Sequence, residues 1–466
     1  MVGMSFTPKS FARLAVIFIV GFILLAVIVA TEENWRGKRA WENCKRELEA
    51  KGVVLDWNTY IPPTVPDDQN FFKVPKMAEW FVKNEQQAFT NELTQRFNNA
   101  DTTATITNET AAIKYLAWSD QLQPEFEEIR EALKRPYARM DADYSKPFGR
   151  QMPNFVAVRS IAQILAQRTK CLLLLGQPEK ALRELTMMQD SCHILDFGSK
   201  GKPMYLISSM INVAVTGLYV DTIANGLQSH SWREPQLAAL QAQLQAIDLT
   251  DLVADSLRVE QAGACRLLET MYEHKPSVAF PSESSWWQNL NNPVFWVERI
   301  APRGFLYQNM AAITSLEQKP IDALHSTDHV ISPRKLDEAN DVVEKSLNHF
   351  SPYTLIAAIA VPNFIKAIIT TVKNQSLVNQ AQIVCALERY HLANGNYPDT
   401  LAALMPQFIK KLPHDLIGGQ PLHYRRTDDG KFLLYSVGWN ETDDGGLPGT
   451  LADVKKGDWV WAYPVK

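Results

Sequence analysis

The sequence predicts an α+β protein in which helix predominates. Three observations carry this: an apolar run near the amino terminus, helical spacing of apolar residues through most of the middle, and a carboxy-terminal order of long helix, short helix and alternating strands. The chain accordingly divides into a tail (1–10), an apolar helix (11–31), a charged helix with a proline-rich linker (32–75), a helical region (76–350) and a carboxy-terminal domain (351–466).

The first element is the clearest. Leu14 to Ala30, LAVIFIVGFILLAVIVA, is seventeen residues without a polar side chain, and Phe11 and Ala12 extend it past Arg13. That is about the length that spans a hydrocarbon core. A cleaved signal peptide is the competing reading, with Lys9 and Arg13 as its basic region and Ala30 before the cut. The run is longer than a usual signal core and Ile28 spoils the small-x-small pattern, so an uncleaved single-pass anchor is expected. Lys9 and Arg13 flank one side, and Arg36, Lys38, Arg39, Lys45 and Arg46 the other. Taken alone, that count places the body in the cytoplasm.

With 466 residues and 46% hydrophobic content the chain has ample material for a core. A net charge of −4 with dispersed Lys and Arg leaves no footprint for nucleic acid, which is set aside as a partner. The five cysteines, Cys44, Cys171, Cys192, Cys265 and Cys385, are odd in number and never paired as C-x-x-C, so they are expected to act as small core residues.

Beyond a charged helix (Trp35 to Lys51), the three prolines between Tyr60 and Phe72 exclude regular helix and predict an extended strap. Helical patterns follow from Lys76 to Tyr272, including Leu237, Leu240, Leu244 and Ile247. Within them, Arg159 to Asp190 predicts a helical hairpin, with Gly176 as the stop, Pro178 near the next start and Ala181 packing back. Its turn resembles that of a tetratricopeptide repeat, although only one unit is recognisable.

The chain lacks P-loop, G-x-G-x-x-G, G-x-S-x-G and H-E-x-x-H signatures. HSTDH, His325 to His329, sets two histidines four apart as in metal-dependent hydrolases, with Asp328 where such a motif has Glu. A polar loop before Pro333 is the alternative.

In the carboxy-terminal domain, Leu377, Ala381, Val384, Leu387 and Tyr390 mark one face of a helix that should stop at Gly395. Asp399 or Thr400 can cap a short helix before Pro406. PLHYRRT and KFLLYSVG alternate like strands around the turn TDDG, Thr427 to Gly430, and DWVWAYPV supplies a last strand. This order, with ALERYHLANGNYPDTLAAL, LPHDLIGGQPLHYR and YSVGWNETDDGG followed by GDW, resembles the type II secretion major pseudopilin, and Thr354 to Ala367 is similar to a type IV pilin amino-terminal helix. The likeness covers about Thr354 to Pro464. Pro352 and Ala357 stand where pilins carry the processing glycine and glutamate, so no cut is expected there.

The resemblance implies a Ca²⁺ loop held by Asp443, Asp444 and Asp458, with Ser436 and Asn440 as neutral ligands. Asn440 stands where the family has a carboxylate. A solvated turn with residues suited to positive φ is the other reading. An EF-hand fails, since a frame starting at Asn440 puts Leu451 where a bidentate Glu is required.

The expected function is a non-enzymatic, membrane-anchored interaction or scaffold protein of a bacterial inner membrane, its bulk periplasmic and its partners other proteins. The alternatives are a hydrolase using His325, Asp328 and His329, and a cytoplasm-facing helical adaptor.

Overall fold

The computed structural model describes residues 8–83, 95–97, 106–147, 151–196, 198, 200, 202, 205–273, 302–324, 329–348, 351–361, 364–449 and 455–461. Helix dominates, and a small three-stranded antiparallel sheet lies near the carboxy terminus. The chain forms two compact units: unit 1 holds 1–59, 261–318 and 342–362, and unit 2 holds 60–260, 319–341 and 363–466. The linear segments 76–350 and 351–466 therefore each contribute to both units.

Unit 1 is organised on α1 (Pro8–Ala50), a single 43-residue helix. The apolar run and the charged helix are one element. Large side chains from Val16 to Val29 are exposed, whereas Glu33, Gly37, Trp41 and Leu48 are buried. The buried face packs with α9 (Leu249–Glu273), α10 (Arg303–Leu324), α11 (Pro333–Leu347) and α12 (Leu355–Ala360) through Cys265, Leu268, Leu306, Met310, Val343 and Ala357. Contact between α1 and α10 is backbone on backbone. A Cβ on Gly37 would meet the Gly304 carbonyl oxygen at 2.2 Å, and one on Gly304 would meet that of Glu33 at 1.9 Å.

Unit 2 begins with the strap, which is pinned rather than loose. Phe71 and Phe72 are buried, the Phe71 N–H donates to the Tyr137 carbonyl (2.7 Å), and Arg135 donates to the Asp67 and Asn70 carbonyls. The helical hairpin is α5 (Phe155–Leu174) and α6 (Pro178–Asp190). Gly176 turns it at φ 68°, and Ala181 is fully buried. Ahead of these lie α2 (Met77–Phe81), α3 (Glu109–Ser119) and α4 (Gln123–Ala132); after them come α7 (Leu206–Gln228) and α8 (Glu234–Gln245). A two-stranded ladder, β1 (Val82–Lys83) with β2 (Met152–Pro153), joins the early part to α5.

The spine of unit 2 is α13 (Phe364–Asn394), stopped by Gly395 at φ 77°. The sequence pattern marks one apolar face; the structure buries every residue from Gln380 to Glu388, because α7, α8 and the sheet pack around the helix. Its buried amides serve neighbouring helix ends, where backbone groups lack partners. Gln382 donates to the Leu244 carbonyl, Gln375 donates to the Ile247 carbonyl, and the Leu249 N–H donates to Gln375 (2.7 Å). Gln380 donates to the Trp459 carbonyl (2.9 Å) and so ties the sheet to the helix.

A 3₁₀ turn, Leu401–Leu404, follows. Neither expected cap forms: Thr400 makes no side-chain capping bond, and Asp399 pairs with Arg426 instead. The sheet runs in the order β3 (His423–Arg426), β4 (Phe432–Ser436) and β5 (Trp459–Val460), with His423 opposite Tyr435 and Ser436 opposite Trp459. The Thr427–Gly430 turn closes β3 on β4, with Gly430 at φ 78°.

Gly37→Ala is expected to cost about 1–3 kcal/mol or more by forcing backbone apart, while Gly21→Ala, with nothing within 4 Å of its added carbon, should be neutral. Thermal denaturation of the detergent-solubilised full chain compares them.

Candidate functional site

The loop between β4 and β5 brings its polar residues into three groups rather than one. Asp458 is 2% exposed, and its carboxylate accepts the N–H of Gly446 (2.7 Å) and of Asp444 (3.3 Å). Asn440 donates to the Asp444 side chain at 2.8 Å. Asp443 belongs to a second group: it accepts from the Tyr435 hydroxyl and the Gly445 N–H, and His423, stacked on Tyr435, lies 3.4 Å from it. The Gly445 and Tyr435 bonds hold its carboxyl below the usual range. Ser436 turns the other way and donates to Asp415 at 2.7 Å.

Glycine is required where this loop folds on itself. A Cβ on Gly438 would meet the Gly457 carbonyl oxygen at 2.4 Å, and both residues have φ of 70°. The backbone thus wraps a buried carboxylate, presenting N–H groups to it.

Calcium needs converging oxygens. Here the oxygens of Asp458 are engaged by amide hydrogens, Ser436 is committed to Asp415, and Asp443 points at Tyr435 and His423. As folded, the five residues face three separate sets of partners rather than one common point.

Asp415 organises the approach to this loop. It accepts from Ser436, from the Val437 N–H (3.1 Å) and from the Ile417 N–H (3.0 Å). Burial nevertheless pushes its carboxyl up, outweighing those bonds.

Among the described residues, the ligand atoms of Asp248, Asp251 and His329 lie within 4.8 Å of one another. Asp248 precedes α9 and accepts from the Asp251 N–H (2.9 Å) and the Thr250 hydroxyl (2.7 Å), and His329 Nδ1 is 3.7 Å from its other oxygen. That is the chemistry of a helix cap, with acids at the positive end of the dipole and a histidine beside them. The D-L-T-D spacing before an apolar helix was readable as a cap, but the partnership with His329 was not. His325 and Asp328 of the HSTDH motif lie outside the described residues. A cavity of about 290 Å³ beside the cluster is lined by polar groups including Gln375, Gln382, Lys411 and His414.

A second cavity of about 420 Å³ borders His193 and Asp196. His193 Nδ1 lies 2.8 Å from Asp196 and Nε2 lies 3.2 Å from the Arg135 carbonyl, so both ring nitrogens are engaged within the fold. Burial disfavours the thiolate at every cysteine, pushing Cys171 to about 11 and Cys385 to about 12 and raising Cys44, Cys192 and Cys265 as well.

Comparison of the chain with protein-family models, with curated proteins and with solved structures finds no match in any of the three.

Asp458→Ala should unpin the loop and lower stability by about 1–3 kcal/mol, equally in EDTA and in millimolar calcium; a melting temperature raised by calcium in the native protein would contradict this geometry. Asp415 titrates with the opposite sense to a salt-bridged acid. Because its folded pKa is raised, its stabilising contribution is complete below the unfolded value of about 4, and is lost as pH rises through the folded one. Asp415→Asn should remove that component, which melts of both proteins across the acid-to-neutral range would reveal.

Proposed function

We propose that the chain is a single-pass, membrane-anchored interaction or scaffold protein of a bacterial inner membrane. One observation carries the anchor: α1 runs without interruption from exposed apolar residues into a segment packed in unit 1, where Glu33 is 8% exposed. A signal-peptide cut after Ala30 would fall inside this helix, three residues before Glu33. The second helix that is long and apolar enough to cross a membrane among the described residues, α7, is instead packed against α5, α6 and α13.

The scaffold reading draws on the helical hairpin and on the order α13, 3₁₀ turn, β3, β4, β5, which agrees with the pseudopilin resemblance. That resemblance supports a periplasmic body. Five basic residues after the apolar run against two before it favour the reverse, a cytoplasm-facing adaptor.

Fusions to the carboxy terminus separate the two. Alkaline phosphatase activity with a dark cytosol-dependent fluorescent reporter is expected; a bright fluorescent fusion and inactive phosphatase would reverse the orientation.

A further inference from the structure

Two segments far from α1 in sequence meet on it just beyond its apolar run. Gly304 lies flush on Glu33 and Gly37, and its N–H donates to the Asn34 side chain at 2.9 Å. Tyr353 donates to Glu33 at 3.2 Å, Gln308 donates to the other Glu33 oxygen at 3.4 Å, and Arg36 closes on the first at 3.0 Å. Phe305 and Tyr353 are edge to face, 5.2 Å apart. Asn309 holds the second segment by donating to the Pro352 carbonyl at 2.8 Å.

The level of this junction is set by helix geometry. Glu33 and Gly37 follow Ala30 by three and seven residues, so they lie roughly 5–10 Å along the axis from the end of the run at 1.5 Å per residue. The headgroup layer of a bilayer occupies about 5–8 Å on each side of its hydrocarbon. The junction therefore falls at headgroup depth and just above it.

Its surface chemistry suits that layer. Trp35 is 61% exposed, and the Arg39 guanidinium sits over its ring at 5.3 Å. Phe305 and Tyr353 are half-buried, and Arg303 and Pro352 are exposed. Amphipathic rings and arginines are the side chains that settle at a membrane interface.

We propose that Trp35, Phe305 and Tyr353 form an aromatic collar seated among phospholipid headgroups, with Arg39 and Arg303 engaging lipid phosphates. This rests on the anchor reading and is independent of orientation. Unit 1 then stands directly on the bilayer instead of being tethered above it.

The full chain in nanodiscs of phosphatidylcholine with phosphatidylglycerol provides the test. The photoreactive p-benzoylphenylalanine replaces, one at a time, Phe18 in the apolar run, Phe305, Tyr353, or Glu47, which lies roughly 25 Å past Ala30 and is exposed. Mass spectrometry should find lipid adducts at 18, 305 and 353 and none at 47. The double variant Arg39→Gln, Arg303→Gln should lower the phosphatidylglycerol share of adducts at 305 severalfold. Adducts at 18 without any at 305 and 353, or equal yields at 47 and 305, overturn the collar and leave the anchor standing. Absence of adducts at 18 removes the anchor itself.

Discussion

A helix that is apolar and exposed over one stretch and tightly packed over the next has to satisfy two environments along one rod, and much of unit 1 follows from that. Burying a large apolar side chain gains about 1.5–3 kcal/mol, so the exposed side chains from Val16 to Val29 favour an apolar surrounding. Just beyond the apolar run the same helix offers a buried carboxylate, Glu33, and a glycine, Gly37. Backbone contact at Gly304 and three polar ties through Glu33 and Asn34 bring α10 and the Pro352–Tyr353 segment onto this single turn. A side chain at either glycine would push α10 away and break those bonds.

Unit 2 answers a different constraint. Its central helix α13 is enclosed on all sides from Gln380 to Glu388, and burying amides without partners is expensive. The side-chain N–H groups of Gln375, Gln380 and Gln382 and the Gln375 carbonyl find partners at the ends of α8 and α9 and on the edge strand β5. The carboxylates do the same for loops: Asp415 gathers the N–H groups of Ile417 and Val437, and Asp458 those of Asp444 and Gly446. These polar side chains act as local frames for backbone that has no ladder or helix of its own.

That use of carboxylates changes the meaning of the loop YSVGWNETDDGG. Carboxylates and glycines after a strand suggest an ion site when only residue types are visible. In the fold, Gly438 and Gly457 permit two backbones to touch, and Asp458 occupies the centre to which the amides point. Acidic side chains near backbone N–H groups and acidic side chains near a cation have the same composition; only the direction of the dipoles tells them apart.

What depends on neighbours in sequence was legible from the sequence alone. The apolar run of α1, the Gly176 turn between α5 and α6, the stop at Gly395 and the Thr427–Gly430 hairpin all follow from periodicity and from positive φ, which are local properties. The tertiary structure decided the rest. Asn34 and Gly304 are 270 residues apart and Glu33 and Tyr353 are 320 apart, so neither pair leaves a local trace. The cap at Asp248 could be read in its own segment, but its approach to His329 could not, and Ser436 turned to Asp415 although its strand sits beside the loop. Such pairings depend on which buried polar group is left without a partner once the helices have packed, and that is settled only when the whole chain has folded.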